Sequence, residues 1–124
     1  MMPGSFRGTR TRGTTLVEEI AAVPGVDAIY VGPADLSVTM GLSPGPDQPD
    51  PIFVEALERI RDACDRHGVV PGIAGNAFTA PKRIEQGFRF VEVASDSGLL
   101  ARGAASALST VRPDAQASVK SGYL

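Results

Sequence analysis

The sequence predicts an α/β fold in which helices cover a small parallel sheet. Three short apolar runs rich in β-branched residues are separated by segments whose apolar residues recur at helical spacing. This alternation is typical of βαβ units, whose strands lie parallel to each other. An open sheet of three strands has two unpaired edges, which natural proteins usually avoid, so we expect something else to complete it.

The first helix and the first strand are predicted within residues 16–31. Five apolar residues recur at helical spacing before a Pro-Gly pair, namely Leu16, Val17, Ile20, Ala21 and Val23. Residues 26–31 are then apolar and include β-branched and aromatic side chains, which is typical of a strand buried on both faces. A Gly-Pro pair ends this strand, and a long loop is predicted from there to Pro49.

The longest helix is predicted to begin at Pro51, because Asp50 can cap it and proline suits the first helical position. Its apolar stripe ends before Gly68 and consists of Phe53, Leu57, Ile60 and Cys64. Cys64 is the only cysteine of the chain, and its place in this stripe indicates a buried structural thiol. The remaining predicted elements are a strand at 69–74, a short helix at 81–85, a strand at 88–94 and a closing helix at 99–108.

Charge and hydropathy exclude several classes of partner. The net charge of −2 gives no overall basic field, so nucleic acid is not an expected partner. No apolar run reaches the roughly 20 residues that span a bilayer, and the N-terminus lacks the apolar core of a signal peptide, so we expect a cytoplasmic protein without a membrane partner. We divide the chain into a flexible tail at 1–15, a folded domain at 16–112 and a C-terminal tail at 113–124.

The first candidate site follows the first strand, because the loops after the carboxyl ends of parallel strands hold the ligand in α/β folds. There the turn Gly32-Pro33-Ala34-Asp35 bares the backbone amides of Ala34 and Asp35 and presents one carboxylate. Exposed amides suit an anionic substrate, and a carboxylate suits a hard cation. The alternative is that Asp35 and Ser37 only cap a turn or a short helix.

Three other places carry weaker signals. Glycines at 72 and 75 flank the end of the second strand, where they would allow a ligand to approach the backbone or simply form a turn. Asp96 and Ser97 follow the third strand, where capping of the next helix is the favoured role. His67, the only histidine, lies at the end of the longest helix, which favours a role at the helix terminus over catalysis.

Several of these segments together resemble the HpcH/HpaI aldolase and citrate lyase family. The resemblance rests on Ile20–Asp27 (IAAVPGVD) followed by Tyr30–Ser37 (YVGPADLS), and it continues through Met40-Gly41, the longest helix and Pro71-Gly72-Ile73 to Phe90–Asp96 (FVEVASD). It covers about residues 16–108, which is most of the chain.

The resemblance implies a (β/α)8 TIM barrel, of which this chain would hold the C-terminal portion with about three strands. It also implies a lyase that makes or breaks a carbon–carbon bond next to a 2-oxo acid, through a pyruvate enolate stabilised by Mg²⁺, Mn²⁺ or Co²⁺. By resemblance Asp35 is a metal ligand, and Gly32, Pro33, Ala34 and Asp35 bind the substrate. The implied partners are a small-molecule 2-oxo acid and an aldehyde, with homo-oligomers for a full-length protein.

The sequence also departs from the family pattern. The family's second metal ligand is a glutamate whose place falls near Thr9, yet no acidic residue precedes Glu18. The family's catalytic arginine and histidine belong to the first half of the barrel, so no catalytic residue is assigned here. We therefore expect a truncated aldolase, with a non-catalytic fragment or assembly module of the same fold as the alternative. A flavodoxin-like phosphate-binding protein would need a richer glycine turn than residues 72–76 provide.

Overall fold

A computed structural model describes residues 16–114, which contain three strands and five helices. In chain order these are α1 (Val17–Ala21), β1 (Ala28–Val31), α2 (Pro33–Thr39), α3 (Pro51–His67), β2 (Val70–Ile73), α4 (Ala80–Glu85), β3 (Phe90–Val91) and α5 (Asp96–Val111). The predicted tail at 1–15 and most of the predicted tail at 113–124 lie outside the described residues. Within residues 16–114 no helix is long and apolar enough to cross a membrane.

The three strands form one parallel sheet, as the sequence predicts, and their order is β1-β2-β3. Ala28 lies opposite Val70 at one end of the β1–β2 pair, and Val31 lies opposite Ile73 at the other. β3 continues the same register, with Val91 opposite Ile73. The carboxyl ends of all three strands therefore meet at one edge of the sheet.

The hydrophobic core lies between α3 and one face of this sheet. Residues of α3 that are buried there are Phe53, Ala56, Leu57, Ile60, Ala63 and Cys64, and the sheet contributes Val31 and Ile73. The helix begins as predicted, since the Asp50 carboxylate accepts a hydrogen bond from the Ile52 amide at 3.0 Å. It ends at Gly68, whose φ of 66° is in the left-handed region that glycine favours.

The opposite face of the sheet is open in the described part of the chain. Tyr30 is 48% exposed and Phe90 is 58% exposed on this face, and Val70 is 39% exposed beside them. The prediction that the first strand is buried on both faces is therefore wrong. Alternate side chains of a strand point to opposite faces, and helices cover only one of them here.

Gly72 allows the two exposed aromatic side chains to meet on the open face. The Tyr30 and Phe90 ring centroids lie 5.5 Å apart with the planes tilted by 52°. A Cβ atom on Gly72 would lie 3.0 Å from Cδ2 of Tyr30 and 3.1 Å from Cδ1 of Phe90. Glycine at this position therefore makes room for the aromatic pair above the middle strand.

Three predicted elements have wrong boundaries, and one of them is the third strand, which spans Phe90–Val91 rather than residues 88–94. The segment predicted as a long loop begins with α2, because Pro33 has no amide hydrogen to satisfy and suits the first helical position. The closing helix begins at Asp96 rather than Leu99, and its cap is Ser95, whose Oγ accepts a hydrogen bond from the Gly98 amide at 3.2 Å. Asp96 and Ser97 lie inside the first turn, where the Asp96 carboxylate accepts a hydrogen bond from the Ser97 amide at 2.7 Å, but the N-cap residue is Ser95.

Arg83 on α4 holds the loop at residues 40–50 in place. Its side chain is 1% exposed, and its Nη2 donates to the Pro46 carbonyl at 2.9 Å and to Oδ1 of Asp47 at 3.2 Å. Burial lowers the pKa of Arg83, and the Asp47 carboxylate opposes that shift. Lys82 binds the same carboxylate at 2.9 Å, but its side chain is 51% exposed. The loop after α2 is thus tied to the next β/α unit.

We expect Arg83→Ala to lower the free energy of unfolding by about 2 to 4 kcal/mol, because it removes several hydrogen bonds and a buried aliphatic stem. Urea denaturation followed by circular dichroism measures the change. Lys82→Ala is the matched control, since it removes the exposed partner of the same carboxylate and should cost less than about 1 kcal/mol. Equal losses in the two variants would contradict the role given to Arg83.

Cys64 is a buried free thiol, as the sequence predicts, and burial raises its pKa. A higher pKa means less of the reactive thiolate at neutral pH, and burial also blocks access. We expect Ellman's reagent to label Cys64 only as fast as the chain unfolds, and immediately in denaturant. Rapid stoichiometric labelling under native conditions would show that α3 does not pack on the sheet as described.

Candidate active site at the carboxyl ends of the strands

The Asp35 carboxylate lies over the open face of the sheet. Gly32 follows β1 in an extended conformation, so it is on the same face as Tyr30, two residues earlier. A Cβ atom on Gly32 would lie 2.7 Å from Oδ2 of Asp35, so the carboxylate fills the space that a side chain at position 32 would occupy. Asp35 is exposed, and its location at the carboxyl end of β1 agrees with the prediction.

The start of α2 presents backbone amides beside this carboxylate. The first intrahelical bond runs from the Leu36 amide to the Gly32 carbonyl at 2.9 Å. The amides of Ala34 and Asp35 precede it, so the helix itself offers them no acceptor. Pro33 occupies the first helical position and is buried. Residues 32–35, which the sequence predicts to bind substrate, form the junction between β1 and α2.

Asp35 and Ser37 do not cap the helix, which was the alternative role predicted for them. The N-cap of α2 is Gly32, and no side chain makes a capping hydrogen bond there. Ser37 is buried within α2, and its hydroxyl donates to the Pro33 carbonyl at 2.7 Å. The Asp35 backbone carbonyl accepts a hydrogen bond from Thr39 Oγ1 at 2.8 Å. The Asp35 carboxylate takes no part in that bond and lies over the sheet.

Glu92 and Tyr30 form a second polar feature of this face, which the sequence reasoning missed. The Ala74 amide donates to the Val31 carbonyl at 2.9 Å and the Glu92 amide to the Ile73 carbonyl at 3.1 Å. These bonds extend the parallel register past the strands, so Gly32, Ala74 and Glu92 lie in one row. The sequence could have predicted the position of Glu92, because side chains alternate along a strand and Glu92 follows Phe90 by two residues.

The Tyr30 hydroxyl donates a hydrogen bond to Oε2 of Glu92 at 2.9 Å. Partial burial, the hydrogen bond to Glu92 and the negative charge of Glu92 together raise the pKa of Tyr30 to about 12, with burial the largest cause. The phenol therefore stays protonated at neutral pH and remains a donor to the carboxylate. The open face thus carries two carboxylates at the carboxyl ends of its strands, Asp35 and Glu92.

The other residues singled out from the sequence have structural roles. Asn76 Oδ1 accepts hydrogen bonds from the Phe78 amide at 2.9 Å and the Thr79 amide at 3.1 Å, which makes residues 76–79 a turn before α4. His67 Nε2 lies 3.0 Å from Oε2 of Glu18, and Arg66 also binds Glu18. This cluster lies where α3 leads into β2, at the amino ends of the strands. Glu18 is therefore at the opposite end of the sheet from Asp35.

The side chains at this edge of the sheet are too few to form a metal site by themselves. Among residues 16–114 there is no group of three or more His, Cys, Asp or Glu side chains that could hold a metal ion. A hard divalent cation requires several converging oxygen ligands. The two carboxylates of this face, Asp35 and Glu92, do not amount to such a group, so residues 16–114 do not form a resident metal centre by themselves.

Comparison with known sequences identifies relatives of this chain. The sequence profile of the HpcH/HpaI aldolase/citrate lyase family matches residues 11–103. A hydroxypyruvate/pyruvate aldolase from Paraburkholderia phytofirmans is 39% identical over 102 residues, which are 82% of this chain and 38% of that protein. A 4-hydroxy-2-oxo-heptane-1,7-dioate aldolase from Klebsiella pneumoniae is 42% identical over 69% of this chain and 32% of that protein. The chain thus spans about a third of the length of these curated relatives.

Solved structures of related proteins also superpose on this chain. A family member from Burkholderia cenocepacia superposes with a TM-score of 0.72 at 39% identity, over 82% of this chain and 39% of that chain. Macrophomate synthase superposes with a TM-score of 0.67 at 32% identity, over 82% of this chain and 36% of that chain. These structures are TIM barrels, so the three strands described here are part of a barrel fold, as predicted. The chain belongs to the HpcH/HpaI aldolase/citrate lyase family.

Proposed function

We propose that this chain contributes part of the active site of an aldolase, a carbon–carbon lyase that acts on a 2-oxo acid. The observation that carries the proposal is the position of Asp35, whose carboxylate occupies the space above Gly32 at the carboxyl end of β1. In barrel enzymes that end of the strands is where the active site lies. The curated relatives are themselves named as aldolases.

In this proposal the turn at residues 32–35 binds the 2-oxo acid. The amides of Ala34 and Asp35 donate hydrogen bonds to the substrate carboxylate, as exposed amides commonly do for anions. Gly32 has no side chain, so the substrate can approach the backbone closely. Pro33 fixes the backbone where the strand turns into α2. The second product of cleavage is an aldehyde.

Asp35 would supply one oxygen ligand to a divalent cation. The family is generally dependent on divalent metal ions, and Mg²⁺, Mn²⁺ and Co²⁺ all accept carboxylate oxygens. Glu18 is bound to Arg66 and His67 at the opposite end of the sheet, and Glu92 accepts a hydrogen bond from Tyr30. In this proposal the remaining ligands therefore come from outside residues 16–114, which hold no group of three or more candidate ligands. In this proposal the groups that move protons also come from outside this segment, where the family resemblance places the catalytic arginine and histidine. A full-length assembly would be a homo-oligomer.

The second candidate function is that of a non-catalytic assembly module of the same fold. Its support is that residues 16–114 hold no metal-binding cluster. The open sheet face with its exposed aromatic pair also suits a module that joins other β/α units. Activity measurements on the chain itself distinguish this candidate from a self-sufficient aldolase.

We expect the 124-residue chain alone to show no appreciable aldolase turnover, even in millimolar Mg²⁺ or Mn²⁺. One carboxylate holds a hard cation weakly, and the absence of positioned acid–base groups typically costs about 100-fold to 10,000-fold in rate. Release of pyruvate from a 4-hydroxy-2-oxo acid, coupled to lactate dehydrogenase, measures the rate. Asp35→Ala is the comparison: metal-dependent turnover that disappears in this variant would show that the chain holds a complete site.

We expect Gly32→Ala to displace the Asp35 carboxylate, because the new Cβ would lie within 2.7 Å of Oδ2. The carboxylate is the free end of a side chain, so stability should change by less than about 1 kcal/mol. The ¹³C chemical shift of the Asp35 carboxyl carbon reports the displacement. Gly103→Ala is the control, since nothing lies within 4 Å of a Cβ there. An unmoved Asp35 signal in Gly32→Ala would remove the observation on which the proposal rests.

A further inference from the structure

A row of residues at the carboxyl ends of the strands connects the two carboxylates of the open face. The Asp35 carboxylate lies above Gly32 at one end of this row, and Glu92 is at the other end. Neighbouring strands lie about 4.8 Å apart, so the backbones of residues 32 and 92 are about 10 Å apart. The residue between them is Ala74, whose side chain is a single methyl group. The row therefore leaves room for a small molecule that reaches from Asp35 towards Glu92.

Tyr30 holds the Glu92 carboxylate on this face. Its hydroxyl donates to Oε2 of Glu92 at 2.9 Å, and its ring packs against that of Phe90. Among residues 16–114 no Lys, Arg or His side chain forms an ion pair with Glu92. Within this segment the Glu92 end of the row thus carries a negative charge that no cation balances, and Oε1 can accept a further hydrogen bond.

The two ends of the row favour different chemical groups. At the Asp35 end, the amides of Ala34 and Asp35 suit the carboxylate of a 2-oxo acid. At the Glu92 end, a second carboxylate on the same molecule would lie beside a negative charge, whereas a hydroxyl group could donate to Oε1. Repulsion between like charges is a common means by which a protein rejects one of two closely similar ligands.

We propose that Glu92 is a specificity-determining residue, which favours 4-hydroxy-2-oxo acids that carry a hydroxyl group at the far end over those that carry a second carboxylate there. The aldehyde released by cleavage would accordingly be a hydroxyaldehyde and not an acidic aldehyde. This inference rests on the proposed function, because the first carboxylate of the substrate has to be bound by residues 32–35 for its far end to reach Glu92.

Binding of two matched acids to the full 124-residue chain tests the inference. The probes are 4-hydroxy-2-oxoheptane-1,7-dioate and 4,7-dihydroxy-2-oxoheptanoate, which differ only in the carboxylate or hydroxymethyl group at the far end. The ¹⁵N chemical shifts of the Ala34 and Asp35 amides, followed at a fixed Mg²⁺ concentration and low ionic strength, give both dissociation constants. We expect the hydroxy acid to bind at least about threefold more tightly, because like charges near a protein surface repel each other appreciably at low salt.

Three variants assign this preference to one side chain. Glu92→Gln removes the charge but keeps an oxygen that accepts the Tyr30 hydrogen bond, so it should abolish the preference and keep the fold. Glu92→Lys should reverse it in favour of the dicarboxylate. Glu85→Gln is the matched control, since it changes the net charge equally at the exposed last residue of α4, and it should keep the wild-type preference.

Salt separates an effect of charge from an effect of shape. In about 1 M KCl the Debye length falls to about 3 Å, so the preference of the wild-type chain should decrease towards equal affinity. The ratio of the two affinities in Glu92→Gln should not change with salt. A wild-type preference that persists unchanged in high salt would show that shape, and not the charge of Glu92, selects the ligand.

Two results would overturn the role of Glu92 and leave the proposed function intact. One is equal affinity of the wild-type chain for the two acids at low ionic strength. The other is a preference that Glu92→Gln retains. If neither acid shifts the amides of Ala34 and Asp35, the turn at residues 32–35 does not bind 2-oxo acids, and the proposed function fails together with this inference.

Discussion

Packing of α3 against one face of the parallel sheet is the interaction on which the rest of the structure depends. Phe53, Ala63 and Cys64 are fully buried in that interface, and Ile73 of the middle strand is buried opposite them. The interface fixes which side chains of each strand face the helices, and a shift by one residue would invert them all. The parallel register then brings Gly32, Ala74 and Glu92 into one row at the carboxyl ends.

The candidate site follows from this register and from one local feature. Gly32-Pro33 joins β1 to α2 without an intervening loop, so the third residue of the helix, Asp35, folds back over the end of its own strand. The site therefore needs no long-range contact to place its carboxylate. The carboxylate then lies on the open side of the sheet, where residues 16–114 provide no covering layer.

Local features were predictable from the sequence, and features that join distant segments were not. The cap at Asp50, the buried Cys64 and the location of Asp35 each follow from a few neighbouring residues, and the family was recognisable from the motif at 30–37. The Arg83 contact with the loop and the Tyr30–Glu92 hydrogen bond join residues 36 or more positions apart. The exposed face of β1 escaped prediction because a uniformly apolar strand does not reveal which face a helix covers.

The separation of Glu18 from Asp35 has a consequence for how such a barrel segment can evolve. The Glu18 cluster with Arg66 and His67 joins α1 to α3 at the amino ends of the strands, while the candidate chemistry lies at the carboxyl ends. Mutations that improve or relax the packing of one end need not disturb the other. A lineage can therefore adapt to a new growth temperature at one end and acquire a new substrate at the other, with little conflict between the two.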